Sequence, residues 1–221
     1  MTPQQILRDA WYFYSRNFLQ IALLCGPLML LEALSAHYWE SLSGSKMSMA
    51  EGLLVALMFS PLYQAVLIYF MASRSSGEPL NAGQLYSAAL RIWPLYALLI
   101  SLGLLLKGLG LMMLIVPGIW IAVKLSFADY LVVLRRQPPL EALRNSFYLT
   151  EGQFWNLLLL SALCLTPIML AALWVLNPER GLVSGGLTDT LLATGFGLLK
   201  LFLSVVLFRY FMLITSATRP D

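Results

Sequence analysis

Charged residues are scarce in this sequence. Only 11% of its 221 residues are charged, against about a quarter in an ordinary soluble domain, whereas 59% are hydrophobic. Histidine occurs once and cysteine twice. These shortages exclude a disordered chain, a disulfide scaffold and an ordinary soluble domain. At about 20 apolar residues per crossing, the hydrophobic residues suffice for about six transmembrane helices, so the sequence predicts a polytopic membrane protein.

The motifs of common enzyme classes are also absent. The sequence has no P-loop, no His-Glu-x-x-His, no Cys-x-x-Cys and no nucleotide fingerprint. Nothing supports a Ser-His-Asp relay through His37, and the carboxylates are too scattered for a paired acid–base site. The basic residues follow the usual topology pattern of membrane proteins rather than a nucleic-acid patch. We therefore expect no enzymatic activity, no cofactor, no metal ion and no nucleic-acid partner.

Six apolar runs are each close to the length that a bilayer core demands of a helix. They lie at about 18–38, 50–72, 95–115, 118–134, 154–176 and 190–214.

The third and fourth runs are separated only by Val116, Pro117 and Gly118. Because proline and glycine end helices, Pro117 and Gly118 are predicted to form the turn of a short hairpin that dips into the outer leaflet.

The distribution of Lys and Arg predicts the orientation. One side of the predicted bundle carries Arg8, Arg16, Arg74, Arg91, Arg135, Arg136, Arg144 and Arg219. The other side carries only Lys46 and Arg180. Since basic residues accumulate on the cytoplasmic side, both termini are predicted to be cytoplasmic.

Amphipathic segments precede the predicted hairpins. The segment Leu7–Tyr12 matches Leu143–Tyr148 in residue type, and a weaker copy lies at about 81–92. We interpret these as an internal repeat, although amphipathic segments are common enough in membrane proteins for chance to be the alternative. The predicted fold is an all-α membrane helix bundle of six transmembrane helices, arranged as three hairpins that each follow a cytoplasmic amphipathic helix. The whole chain, 1–221, is then a single membrane domain, with repeat-like units at about 1–72, 80–134 and 139–215.

Ionisable side chains inside the predicted spans are the most informative residues, because each costs several kcal/mol at the centre of a bilayer. At 1.5 Å per residue, four of them fall roughly 9–15 Å from the outer ends of their runs: Glu32, Lys107, Lys124 and Lys200. One interpretation is a shared cationic pocket for a phosphate or another anionic headgroup. The alternative is that the lysine side chains extend to the outer interface.

Asp129 and Arg209 form a second layer nearer the cytoplasmic side. Nine residues separate Lys200 from Arg209, which puts them about 180° apart on one helix and argues against a single charged pore. We expect Asp129 and Arg209 to form a structural ion pair between the fourth and sixth helices. The alternative is that Arg209 extends to cytoplasmic phosphate groups.

Three segments carry a resemblance to a known family: Ile115–Ile119, Glu141–Ser146 and Leu207–Ile214. They resemble the YciC-like family of bacterial inner-membrane proteins, and they are similar to the membrane domains fused to some glycerophosphodiester phosphodiesterases. The resemblance implies a six-helix protein of the bacterial inner membrane with a connection to lipid or glycerophosphodiester traffic. It does not supply an activity, and it does not extend to Glu32.

Two functions follow from these patterns. The first is a non-enzymatic protein that binds or moves an anionic lipid or amphiphile through the outer cationic layer, with membrane lipids as its partners. The second is a structural or assembly protein of the bacterial envelope that binds other membrane proteins. A small-ion channel is less well supported, because no filter-like motif is present and the charges cannot line one pore.

Overall fold

The computed structural model describes residues 3–43, 48–175 and 187–217, and every secondary-structure element in these ranges is a helix. The helices are α1 (Pro3–Ser43), α2 (Met49–Ser76), α3 (Ala82–Met113), α4 (Ile115–Lys124), α5 (Ala128–Arg135), α6 (Pro139–Leu149), α7 (Phe154–Val175) and α8 (Leu187–Ala217). Six segments of the described chain are long and apolar enough to cross a membrane, and α4 and α5 together form one of them. The prediction of an all-α protein with six apolar spans is confirmed. Three residues used to predict the orientation, Lys46, Arg180 and Arg219, lie outside the described residues.

Two of the three predicted surface segments are continuous with a membrane span. Helix α1 has 41 residues and includes the predicted N-terminal surface segment, while α3 includes the segment at about 81–92. Only α6 is a separate helix. Helix α6 is separate from α7 because Gly152, between them, has a positive φ of 76°, which lets the chain leave the helix before α7 begins. The aligned residue in the first copy is Arg16, which stays helical within α1.

The turn between α3 and α4 falls at Leu114, which is extended with φ −169° and ψ 157°. Pro117 and Gly118, predicted to form this turn, instead lie in the first turn of α4. Proline is tolerated there because the first-turn N–H groups have no partner within the helix. A Cβ on Gly118 would lie 2.5 Å from a methyl carbon of Leu111, and one on Gly110 would lie 3.0 Å from the Gly118 Cα. These two glycines therefore allow α3 and α4 to pack closely.

Helix α6 packs against the joint between α4 and α5. The fully buried Ser146 donates a hydrogen bond through its hydroxyl to the carbonyl of Lys124 (2.7 Å) and accepts one from the N–H of Phe127 (3.2 Å). Both backbone groups lie at the joint, where regular helical bonding is interrupted. Ser146 thus provides hydrogen-bonding partners for one backbone carbonyl and one backbone N–H group at the break in the fourth span.

The bundle has two sides that share α2. On the first, which we call the packed side, α2 contacts α3 and α5, and α3 contacts α4 to α6. Its interior is filled by fully buried aromatic and aliphatic side chains such as Tyr96, Phe127 and Leu131. On the second, which we call the cavity side, α1 contacts α2 and α8, and α7 packs on α8. The ionisable residues inside the spans are divided between these two sides.

Candidate ligand-binding site in the membrane spans

A cavity of about 550 Å³ opens among four helices of the cavity side, α1, α2, α7 and α8. Its walls are mostly apolar, with Met29 from α1 and Ile168 from α7 among them. Gly197 of α8 also lines it, and a Cβ at that position would lie 3.3 Å from the terminal methyl of Met29. We call this space the Glu32–Lys200 cavity, after the two ionisable residues that line it.

Glu32 and Lys200 bring opposite charges to this cavity. The positive charge of Lys200 acts on the Glu32 carboxyl group, and the hydroxyl of Tyr63 donates a hydrogen bond to that carboxyl group. Among the described side chains, Glu32 and Lys200 do not form a direct ion pair. Their charges therefore attract across space that a ligand group can enter.

A chain of polar side chains continues from Tyr63 into the packed side. The Tyr63 hydroxyl is in hydrogen-bonding contact with Gln64, whose side-chain oxygen accepts a hydrogen bond of 3.0 Å from the hydroxyl of Tyr96. The Tyr96 hydroxyl is also in hydrogen-bonding contact with the carboxyl group of Asp129. The chain thus joins Glu32 on α1 to Asp129 on α5 through α2 and α3.

At its far end the polar chain meets a second lysine. The positive charge of Lys107 acts on the Asp129 carboxyl group, as that of Lys200 does on Glu32. The next residue, Tyr130, is buried and donates a hydrogen bond of 2.8 Å to the carbonyl of Ser204 on α8. This hydrogen bond joins α5 to α8.

The predicted layer of three lysines is divided among separate surroundings. Lys200 lines the cavity with Glu32, whereas Lys107 lies near Asp129 and Lys124 lies on α4 with its ammonium 5.9 Å from the ring centre of Trp120. Neither Lys107 nor Lys124 lines the cavity. The structure does not bring the three lysines together at this cavity, because equal depth in the spans does not place side chains on facing helix surfaces.

The predicted ion pair between Asp129 and Arg209 is not among the ion pairs of the described side chains. Arg209 instead contacts Asp9 of α1, with 3.4 Å between the guanidinium nitrogen and the carboxylate oxygen. The prediction treated the segment before residue 18 as a separate surface helix. Because that segment is part of α1 and packs against α8, Asp9 is the nearer carboxylate.

A second cavity, of about 410 Å³, lies at the end of the bundle that carries this ion pair. We call it the arginine cleft, because Arg74 of α2 and Arg209 of α8 both line it, together with Asp9 of α1. Sequence reasoning missed this cleft, because it counted Arg74 only toward the orientation and paired Arg209 with Asp129.

Sequence reasoning also missed the polar chain between the two carboxyl groups. A signal was available, since Gln64 is a polar residue within an otherwise apolar run. Tyr63 and Tyr96 gave no such signal, because tyrosines are common near the ends of membrane spans.

Metal ligands do not converge in the part of the chain that the structure describes. Among those residues, no three His, Cys, Asp or Glu side chains lie together as a metal ion would require. The two cysteines, Cys25 and Cys164, are both buried and unbridged.

Comparison with known proteins identifies a relative. Over 169 residues, which is 76% of this chain, the sequence is 30% identical to a UPF0259 membrane protein of Sodalis glossinidius (strain morsitans). The match covers 66% of that relative, so the chain spans just under two thirds of its length. No protein-family model matches the chain, and no solved structure matches it. The name of the relative and the six candidate spans agree that the chain is an integral membrane protein.

Proposed function

We propose that this chain is a bacterial inner-membrane protein of the UPF0259 type and that it binds a membrane amphiphile in the Glu32–Lys200 cavity. The observation that carries the proposal is the combination of apolar walls with one carboxyl and one ammonium group, all within candidate spans. Spaces of about 300–1,000 Å³ with mostly apolar walls and a few polar groups are typical of small-ligand sites. The proposed role is binding, without a chemical reaction.

The two charges favour a headgroup that carries both signs. Lys200 is suited to contact a phosphate oxygen, and Glu32 to contact an ammonium group. A purely anionic headgroup would meet the negative charge of Glu32. The proposal therefore differs from the anionic ligand that the three lysines led us to expect, since Lys200 is the one lysine of the three that lines the cavity.

The apolar walls favour an amphiphile over a small polar solute. Met29, Ile168 and Met169 offer flexible aliphatic surface to an acyl chain next to the charged groups. The resemblance to the membrane domains of some glycerophosphodiester phosphodiesterases adds a lipid context to this proposal.

The proposed topology puts the arginine cleft and both termini in the cytoplasm. Arg74, Arg135, Arg136 and Arg144 lie near this end of the bundle, as the positive-inside rule requires of short cytoplasmic loops. The first part of α1, the first part of α3 and the separate helix α6 would then lie along the cytoplasmic leaflet. Each would precede one of three hairpins, in keeping with the repeat-like units.

Native mass spectrometry of protein released from nanodiscs of phosphatidylethanolamine and phosphatidylglycerol tests the proposal. We expect the wild type to retain phosphatidylethanolamine, and Lys200→Gln and Glu32→Gln to lose it, because each variant removes one of the two charges that face the headgroup. Lys124→Gln removes a lysine outside the cavity and is the matched control. Equal retention by all four proteins would contradict the proposal.

One observation favours a second function, the binding of a membrane-protein partner. The turn between α3 and α4 presents five consecutive apolar residues, Met112 to Val116, that are each at least 70% exposed. In inner-membrane vesicles, a photo-crosslinking residue at Val116 would join a distinct protein if this turn is an interface. Crosslinks to lipid alone would count against it.

A further inference from the structure

We infer that the arginine cleft is a second binding site, for the phosphate group of an anionic membrane lipid. It lies between α1, α2 and α8, and it shares no lining residue with the Glu32–Lys200 cavity. The inference therefore stands or falls independently of the proposed function.

Two guanidinium groups from different helices line the cleft. Arg74 is held by a hydrogen bond of 2.8 Å from its Nη2 to the side-chain oxygen of Gln20, and its guanidinium carbon lies 5.4 Å from the ring centre of Phe70. A guanidinium group has five N–H donors, so this arrangement fixes Arg74 and leaves donors for a ligand. Planar pairs of N–H groups match two oxygens of a phosphate.

The contact that Arg209 makes with Asp9 is weak enough for a ligand to replace. Its length is 3.4 Å, and the two side chains are 47% and 39% exposed. Exposed ion pairs contribute little to stability, whereas phosphate can accept two parallel hydrogen bonds from one arginine. Asp9 thus competes with a ligand for the guanidinium group of Arg209. Because the cleft has two arginines and one aspartate, it keeps a net positive charge.

The remaining walls explain why a lipid fits better than a free phosphate ion. Tyr12 and Phe13 of α1 and Phe208 of α8 line the cleft next to the arginines, and the ring of Tyr12 is exposed. All three belong to candidate membrane spans. A phosphate group attached to acyl chains would contact both the charged and the apolar parts of the cleft, whereas inorganic phosphate would contact only the arginines.

The test measures retention of phosphatidylglycerol by native mass spectrometry during titration from mixed detergent micelles. Arg74→Gln/Arg209→Gln should weaken binding by about tenfold or more, because each substitution removes a positive charge and the paired N–H donors that contact phosphate oxygens. The control Arg91→Gln/Arg144→Gln removes the same charge from exposed positions outside the cleft and should change binding less than about twofold. Equal weakening by both double variants would overturn the inference in favour of general surface attraction.

Asp9→Asn separates a ligand site from a structural ion pair. If Asp9 competes with the phosphate group, the variant should bind phosphatidylglycerol at least about twofold more tightly. Weaker or unchanged binding by Asp9→Asn would overturn the inference. Millimolar inorganic phosphate is the second arm, and complete displacement of the lipid by free phosphate would show that the apolar walls contribute nothing. Thermal unfolding of each variant verifies that the protein is folded.

Discussion

Two carboxyl groups inside the spans, those of Glu32 and Asp129, each lie near a lysine and a tyrosine, yet their surroundings differ. Glu32 lines an open cavity, while Asp129 lies among helices that fill the space around it. The same three chemical groups therefore serve two purposes. On the packed side they satisfy one another, and on the cavity side their charges face space that a ligand can occupy.

This comparison predicts where substitutions act. Changes on the packed side should lower the free energy of unfolding, because neighbouring atoms leave no room to relax and no water to replace a lost partner. Changes on the cavity side should alter ligand retention with little effect on unfolding. Four substitutions test this contrast, each with unfolding measured in mild detergent.

Asp129→Ala should cause the largest loss in the free energy of unfolding. It removes the carboxyl group on which the positive charge of Lys107 acts, and with it a hydrogen-bonding partner of Tyr96. Leaving a buried polar partner unsatisfied typically costs about 1–3 kcal/mol of unfolding free energy, and more when the partner is charged. Asp129→Asn keeps a side chain that can hydrogen-bond to the Tyr96 hydroxyl and should lose less. If Asp129→Ala unfolds like the wild type, the packed side does not depend on this carboxyl group.

Gly118→Ala should cause the second-largest loss in the free energy of unfolding. The added methyl would lie 2.5 Å from a side-chain carbon of Leu111 and 2.9 Å from its backbone nitrogen, so α3 and α4 must move apart. Overpacking of this kind costs about 1–3 kcal/mol. Gly108→Ala is the matched control on α3, since nothing lies within 4 Å of its Cβ position, and it should be neutral or stabilising.

Ser146→Ala should lower the free energy of unfolding by about 1–2 kcal/mol. The carbonyl of Lys124 and the N–H of Phe127 would each lose their hydrogen bond to the serine hydroxyl at a buried joint. The exposed Ser87→Ala provides the comparison, because its hydroxyl bonds only within its own helix. Equal unfolding curves for the two variants would mean that water replaces the Ser146 hydroxyl at the joint.

Glu32→Gln should have the smallest effect on stability, below about 1 kcal/mol, because the residue faces an open space and has no direct ion pair among the described side chains. Its effect should appear in lipid retention instead. A loss of stability as large as that of Asp129→Ala would remove the contrast between the two sides.

The number and position of the spans could be predicted from the sequence, because a bilayer demands about 20 apolar residues from each crossing helix. Depth along each run also singled out Glu32 and Lys200, which do line one cavity. The partners of Lys107 and Arg209 could not be predicted. They depend on the rotation and contacts of helices that are distant in the chain, and apolar runs carry no information on rotation.

The glycines of the α3–α4 hairpin show a second limit. Pro117 and Gly118 read as a turn, since both residues interrupt helices in soluble proteins. In the structure the chain turns at Leu114, and Gly118 is required for close contact between two helices. Sequence alone does not distinguish a glycine that bends the chain from one that makes room for a neighbour.

The continuity of α1 has a mechanical consequence. Asp9 in the arginine cleft and Glu32 in the cavity lie on the same helix, separated by about 35 Å at 1.5 Å per residue. A rigid rod of that length, tilted by about 5° at one end, moves the other end by about 3 Å, which is the length of one hydrogen bond. Pro27 interrupts the hydrogen bonding of the rod between the two positions, so it is the point at which α1 would bend rather than transmit such a tilt. Only the part of a tilt that Pro27 does not absorb would reach the Glu32 carboxyl group that lines the cavity.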